Sequence, residues 1–209
     1  HLADLIEQLA ASTDAKTINI FSYSAGAQVT APALAELRVR HPGESADELR
    51  RRFRIGNVYL ASPDVSAEAF YTQYLPAFRD LVGRTTFTYH RQDPFLKASH
   101  RYLGEARLGR PSGGFGKAKE LAWLKQGAAH PSVDAIDLEF ACVERPVEFC
   151  AHGAWYSNPW VSSDLVVLLR SGRPAEERGL LEKPDGTGYY FPSTYPDRLR
   201  ELSTTIGMN

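Results

Sequence analysis

Only two cysteines and one methionine occur in 209 residues. Two thiols, Cys142 and Cys150, are too few for a multi-thiolate metal centre and leave room for one disulfide. Charge of one sign is not in excess either. The formal net charge is −1, so no strong field draws in nucleic acid or an anionic membrane. The one basic run, Arg50, Arg51, Arg52 and Arg54, reads as a solvated helix face. No apolar run reaches membrane-spanning length, and the N-terminus carries no signal-peptide pattern. Repeats are lacking, as is any linker that would divide the chain. The expectation is a single domain over residues 1–209, with residues from about 172 onward a Pro/Gly-rich tail packed on it.

What is there alternates. Leu2, Leu5, Ile6 and Leu9 fall on one helical face, and this abrupt start suggests an upstream polypeptide segment that completes the fold. Buried strands are expected at residues 16–21, 54–61, 85–90 and 133–140. Helices are expected at 25–38, with Pro32 kinking or restarting it, at 45–54, from a Ser66 cap through Leu81, at 117–126 and at 157–170. In the last of these, Val161, Leu165, Leu168 and Leu169 should face inward. The glycines at 104, 109, 113, 114 and 116 predict a long loop. The tail should hold one short helix near residues 196–202. Strands alternating with helices imply a parallel sheet covered on both faces. The fold class is therefore α/β, a parallel sheet flanked by helices. Four strands are few for such a sheet, and the remainder are expected upstream of His1.

The first strand runs straight into Ser22-Tyr23-Ser24-Ala25-Gly26 and then an Ala-rich helix. Strand, Ser-x-Ser-x-Gly, helix is the layout of a nucleophile elbow. The serine sits in a strained turn, so its neighbours two positions away must be small, and Ser22 and Gly26 are. The helix start behind Ser24 would aim the Ala25 N–H at an oxyanion. The bland alternative is an ordinary strand-to-helix turn capped by a serine.

A serine hydroxyl needs a general base, and the base needs an orienting acid. In this layout the order is Ser, acid, His. Asp93 follows the third strand, at the end where parallel-sheet sites are built. Asp64, at the equivalent end of the preceding strand, is the competitor. Among the six histidines, His152 follows the fourth strand and precedes the last helix, where the base belongs. His130 precedes that strand and should lie at the wrong end, while His90 and His100 lie too near the acid.

These segments carry a resemblance. Thr17-Ile18-Asn19-Ile20-Phe21-Ser22-Tyr23-Ser24-Ala25-Gly26 and Val58-Tyr59-Leu60-Ala61-Ser62-Pro63-Asp64-Val65 resemble the α/β-hydrolases of unknown function grouped with the esterase/lipase superfamily. That family shows an Ala-His-Ser-Met-Gly elbow, an Ala-Pro-Asp segment after the next strand, and a strand ending in an acid. Tyr89-His90-Arg91-Gln92-Asp93, Ala106-Arg107-Leu108-Gly109, His152-Gly153 and Ser163-Asp164-Leu165 extend the similarity, which runs from about Leu2 to Arg170. The elbow departs from the family pattern at Ser22, Tyr23 and Ala25. The resemblance implies an α/β-hydrolase-type parallel sheet flanked by helices, with Ser24, Asp93 and His152 as a triad and a second oxyanion donor from the family's first half.

The expected activity is serine-hydrolase chemistry on a small-molecule carboxylic ester or related acyl substrate, through an acyl-enzyme and without metal or organic cofactor. Tyr23, Phe95, Trp155 and Tyr156 are candidate pocket walls. Acyl transfer by the same triad is one alternative, and a non-catalytic module on a hydrolase scaffold another. An intact Ser, Asp, His order argues against the second.

Overall fold

The computed structural model describes residues 2–111, 117–139 and 151–205. These residues form a six-stranded sheet in the order β1-β2-β3-β4-β6-β5. The strands are β1 (Ile18–Tyr23), β2 (Ile55–Ala61), β3 (Arg84–Tyr89), β4 (Val133–Asp137), β5 (Leu181–Glu182) and β6 (Tyr189–Tyr190). All neighbours run parallel except β5, which is antiparallel to β6.

The middle strands are buried almost throughout, as strands covered on both faces should be. Alternate residues of β2 show the two faces. Val58 and Leu60 join one core cluster with Ile6, Leu34, Leu37, Phe53, Phe70 and Phe78. These come from α1 (Leu2–Ser12), α2 (Ala27–Arg40), α3 (Ala46–Phe53) and the segment that follows β2. That segment begins as α4 (Ala67–Ala69), passes through a π-helical stretch (Phe70–Tyr74) and ends as α5 (Leu75–Phe78). Tyr59 and Ala61 point the other way and meet Leu168, on α9 (Pro159–Ser171), which follows α7 (Lys117–Ala128) and the short α8 (Ala154–Ser157) in the chain. Phe53, Phe70, Phe78 and Phe87 are fully buried, and each burial is worth roughly 1.5–3 kcal/mol.

Several expectations need correction. The strand before the elbow ends at Tyr23, two residues later than its apolar run suggests. Pro32 does not restart the helix: α2 is continuous from Ala27 to Arg40. The carbonyl it deprives of a donor belongs to Gln28, an exposed position that water can serve. Part of the expected long loop is a helix, α6 (Pro94–Leu103), which Asp93 caps and Gly104 ends at φ 73. The loop's continuation is zipped onto residues 63–67 by Gly109 N–H to Pro63 C=O, Leu108 N–H to Val65 C=O and Ala67 N–H to Ala106 C=O.

The tail is more than a packed appendage with one helix. It adds the β5–β6 hairpin to the sheet, with β6 parallel to β4, and then α10 (Tyr195–Thr205). Strands of two residues are too short to leave a period in the sequence. In α9 Val161 and Leu168 are buried and Leu165 packs partly buried against the core, as expected, while Asp164 and Val167 take buried positions that were not expected and Leu169 is not fully buried. A charged residue takes a core position there because Arg178 meets it from the tail. The guanidinium bonds both oxygens of Asp164, at 2.7 and 3.2 Å, and Asp134 Oδ2 at 2.8 Å. Cys142, Cys150 and the end of the expected fourth strand, including Phe140, lie outside the described residues.

Candidate active site

The elbow is built at the carboxyl end of β1. Ser24 has φ 52, the left-handed region that an L-residue adopts only where its surroundings impose it. Residues Ser24–Gly26 form one 3₁₀ turn that leads directly into α2. A Cβ at Gly26 would lie 2.9 Å from Ser22 Oγ, so the glycine lets the two residues approach without displacing that hydroxyl. The N–H of Ala25 belongs to the first turn of this helical entry, where backbone donors have no partner within the helix.

Asp93 is brought to the same end by the terminus of β3. Its Oδ1 accepts the N–H groups of Phe95 and Leu96, both at 3.0 Å. The carboxylate is thus the N-cap of α6, fully buried and oriented by backbone donors. Its second oxygen, Oδ2, is left to accept from His152 Nδ1 at 2.9 Å. On the far side of the ring, Nε2 lies 2.9 Å from Ser24 Oγ. With the proton on Nδ1, Nε2 is the acceptor for the serine hydroxyl. Ser24, His152 and Asp93 therefore form one continuous hydrogen-bonded chain, in the order that activates a hydroxyl as a nucleophile.

Asp64 is not brought to the histidine. Its carboxylate accepts from Arg107 Nε at 2.6 Å and from Ser99 Oγ at 2.7 Å. Three other histidines are engaged elsewhere. His90 Nδ1 accepts the Gln92 N–H, His100 pairs with the Glu105 carbonyl, and His130 pairs with Ser132. Burial holds His90 and His130 below the ordinary imidazole range.

The four aromatic side chains expected at the pocket gather around His152. Tyr23 and Phe95 place their rings 5.2 and 4.9 Å from the imidazole. Trp155 packs on Tyr23 at 5.6 Å and edge-on to Tyr156 at 5.2 Å. Phe95 and Tyr156 are 58% and 59% exposed. Trp155 lies behind them against the core. Burial, then Tyr156 and Asp93, push the Tyr23 phenol above its usual range.

Two contributors escaped sequence reasoning. Ser62, like Ser24 and Arg54, is a non-glycine at positive φ, 43, and its hydroxyl donates to the Ala151 carbonyl at 3.0 Å. Arg107, only 3% exposed, anchors Asp64. The signal for α6 was present in Asp93-Pro94, a capping residue followed by proline in the first helical turn. Among the described residues, no group of three or more His, Cys, Asp or Glu side chains is placed to hold a metal ion. No helix of the described residues is long and apolar enough to cross a membrane.

A mostly parallel, helix-flanked sheet with a strained serine turn between strand and helix defines an α/β hydrolase fold. The chain belongs to the family described as alpha/beta hydrolase of unknown function (DUF900), whose family model matches residues 1–167. No curated protein and no solved structure matches it.

Proposed function

We propose that the protein is a serine hydrolase that cleaves carboxylic esters through an acyl-enzyme. The observation that carries this reading is the pair of 2.9 Å contacts from Ser24 Oγ to His152 Nε2 and from His152 Nδ1 to Asp93 Oδ2. In this reading Ser24 Oγ attacks the ester carbonyl as its proton passes to Nε2. The Ala25 N–H stabilises the oxyanion, aided by the start of the elbow helix. Collapse breaks the C–O bond, and His152 returns the proton to the departing alcohol. Water then repeats the sequence on the acyl-enzyme and frees the acid. Asp93 holds the imidazole in the required tautomer and supports its charge. Phe95 and Tyr156, exposed beside His152, would contact an apolar part of the substrate. Within the described residues β1 pairs on one side, with β2. Its other edge would receive the upstream segment that supplies the second oxyanion N–H.

A fluorophosphonate probe should modify Ser24, and Ser24→Ala should abolish both labelling and ester hydrolysis. The expected loss in kcat is roughly 10⁴–10⁶, the scale of triad dissection. Undiminished hydrolysis in Ser24→Ala would sink the reading.

A further inference from the structure

We propose that the turn at residues 62–64 is a clamp that sets the separation of Ser24 and His152, with Ser62 as its positioning residue. The inference rests on the reading of Ser24 and His152 given above.

Ser62 follows the last residue of β2 and is buried, with φ 43. An L-residue is strained there, and one that precedes proline more so. Glycine would relieve the strain, so a serine must contribute something through its side chain. Its hydroxyl donates to the carbonyl of Ala151 at 3.0 Å, inside the protein. Ala151 immediately precedes the histidine. The Ser62 N–H donates to Thr88 Oγ1 at 2.9 Å, which ties the turn to β3. Two residues on, the Asp64 N–H donates to the carbonyl of Ser24 at 3.0 Å. One three-residue turn is thus bonded to the backbone of the nucleophile and to the residue before the base.

The turn itself has little freedom. Arg107 Nη2 donates to the Asp64 carbonyl and its Nε to the Asp64 carboxylate, each at 2.6 Å. Gly109 packs beneath, so close that a Cβ would meet Ser62 C and Pro63 N at 2.8 Å. Proton transfer requires Oγ and Nε2 to stay within hydrogen-bond reach, and small displacements of such pairs are costly in rate. A histidine loop released at Ala151 loses that register while Ser24, Asp93 and the substrate contacts remain intact.

Ser62→Ala and Ser62→Gly test the proposal together. Both delete the hydroxyl, but the glycine also removes the backbone strain, so it should melt at the higher temperature of the two. A clamp predicts that kcat falls roughly 10- to 100-fold in both variants with KM little changed. Fluorophosphonate labelling of Ser24 should slow by the same factor. A merely structural serine predicts that activity follows stability, so that Ser62→Gly recovers the wild-type kcat. That recovery, or a wild-type labelling rate in Ser62→Ala, overturns the clamp while leaving Ser24 as nucleophile. Failure to label Ser24 in the wild-type protein removes the underlying reading and the clamp with it. Should the alanine variant not fold, the less strained glycine variant decides.

Discussion

His152 meets Asp93 at 2.9 Å at the carboxyl end of the sheet, and Arg178 meets Asp164 at 2.7 Å towards the amino end of β4. Both aspartates are fully buried. Around Arg178 the charge is enclosed. Two carboxylates and the Arg173 carbonyl take its donors, and Asp134 is also bonded by Arg84 and Thr86. Burial opposes the Arg178 charge, but its two carboxylate partners outweigh that and raise its pKa above the usual value. Around His152 the chain of bonds instead leads outward, to the serine hydroxyl and exposed aromatics. The cation of the first assembly cannot lose its proton and its geometry is closed. The His152 assembly instead ends on the Ser24 hydroxyl, which is not fully buried. Burial alone does not separate structure from chemistry; what lies at the end of the hydrogen-bonded chain does.

The comparison is broken most sharply on the His152 side, the catalytic one in the proposed reading. Asp93→Asn keeps the α6 cap, because the amide oxygen can still accept the Phe95 and Leu96 N–H groups. The imidazole loses its orienting anion, so kcat should fall by up to ~10⁴ with the melting temperature nearly unchanged. Asp64→Asn, measured beside it, should cost less than about tenfold, since the backbone bond from Asp64 to Ser24 survives. A crippled Asp64→Asn with a mild Asp93→Asn would reverse the assignment.

At the structural side, Arg178→Leu leaves Asp164 and Asp134 buried without their shared cation. Removing one member of such an assembly costs about 3–5 kcal/mol. Denaturant unfolding should record that loss, while kcat per folded molecule stays at the wild-type value. A drop in kcat without loss of stability would show that the two ends of the sheet are coupled.

The two regions also differ in how far they could be read in advance. The elbow, the acid and the base each stand at an element boundary, where residue type is dictated by local chemistry. Ser24 and Gly26 are tied to one turn, Asp93 to one strand end, and His152 to chain order. That made the three side chains legible as candidates before any geometry. The Arg178 assembly depends on residues from β4, α9 and the tail that share no local pattern. Asp164 looks like a surface residue of α9 until its partner arrives from outside the helix. The β5–β6 hairpin was hidden for a related reason, since pairing with β4 and not its own periodicity makes it a strand. Ser62 illustrates a third case: its residue type is unremarkable, and only its φ and the Ala151 contact give it a role.

The smallest expected effect lies next to the acid and concerns pH. His90, three residues before Asp93, accepts the Gln92 N–H on Nδ1 and bonds the Asp93 N–H through its own carbonyl. Burial depresses its pKa, with Asp137, Glu139 and Asp93 opposing the shift. The unfolded chain, whose imidazole titrates near about 6.5, therefore takes up a proton before the folded protein does. Stability from the neutral ring is complete above that pH and is lost as pH falls through the depressed folded value. Protonation at Nδ1 would also remove the acceptor for Gln92 and disturb the turn that presents Asp93. The melting temperature should thus decline between pH 7 and pH 5. In His90→Asn, where an amide oxygen can replace Nδ1 as acceptor without titrating, the decline should be shallower by a few degrees at most. It should not vanish, because His130 is depressed by burial as well and contributes with the same sign. Equal slopes in the two proteins would show that acid sensitivity arises elsewhere than at the turn carrying Asp93.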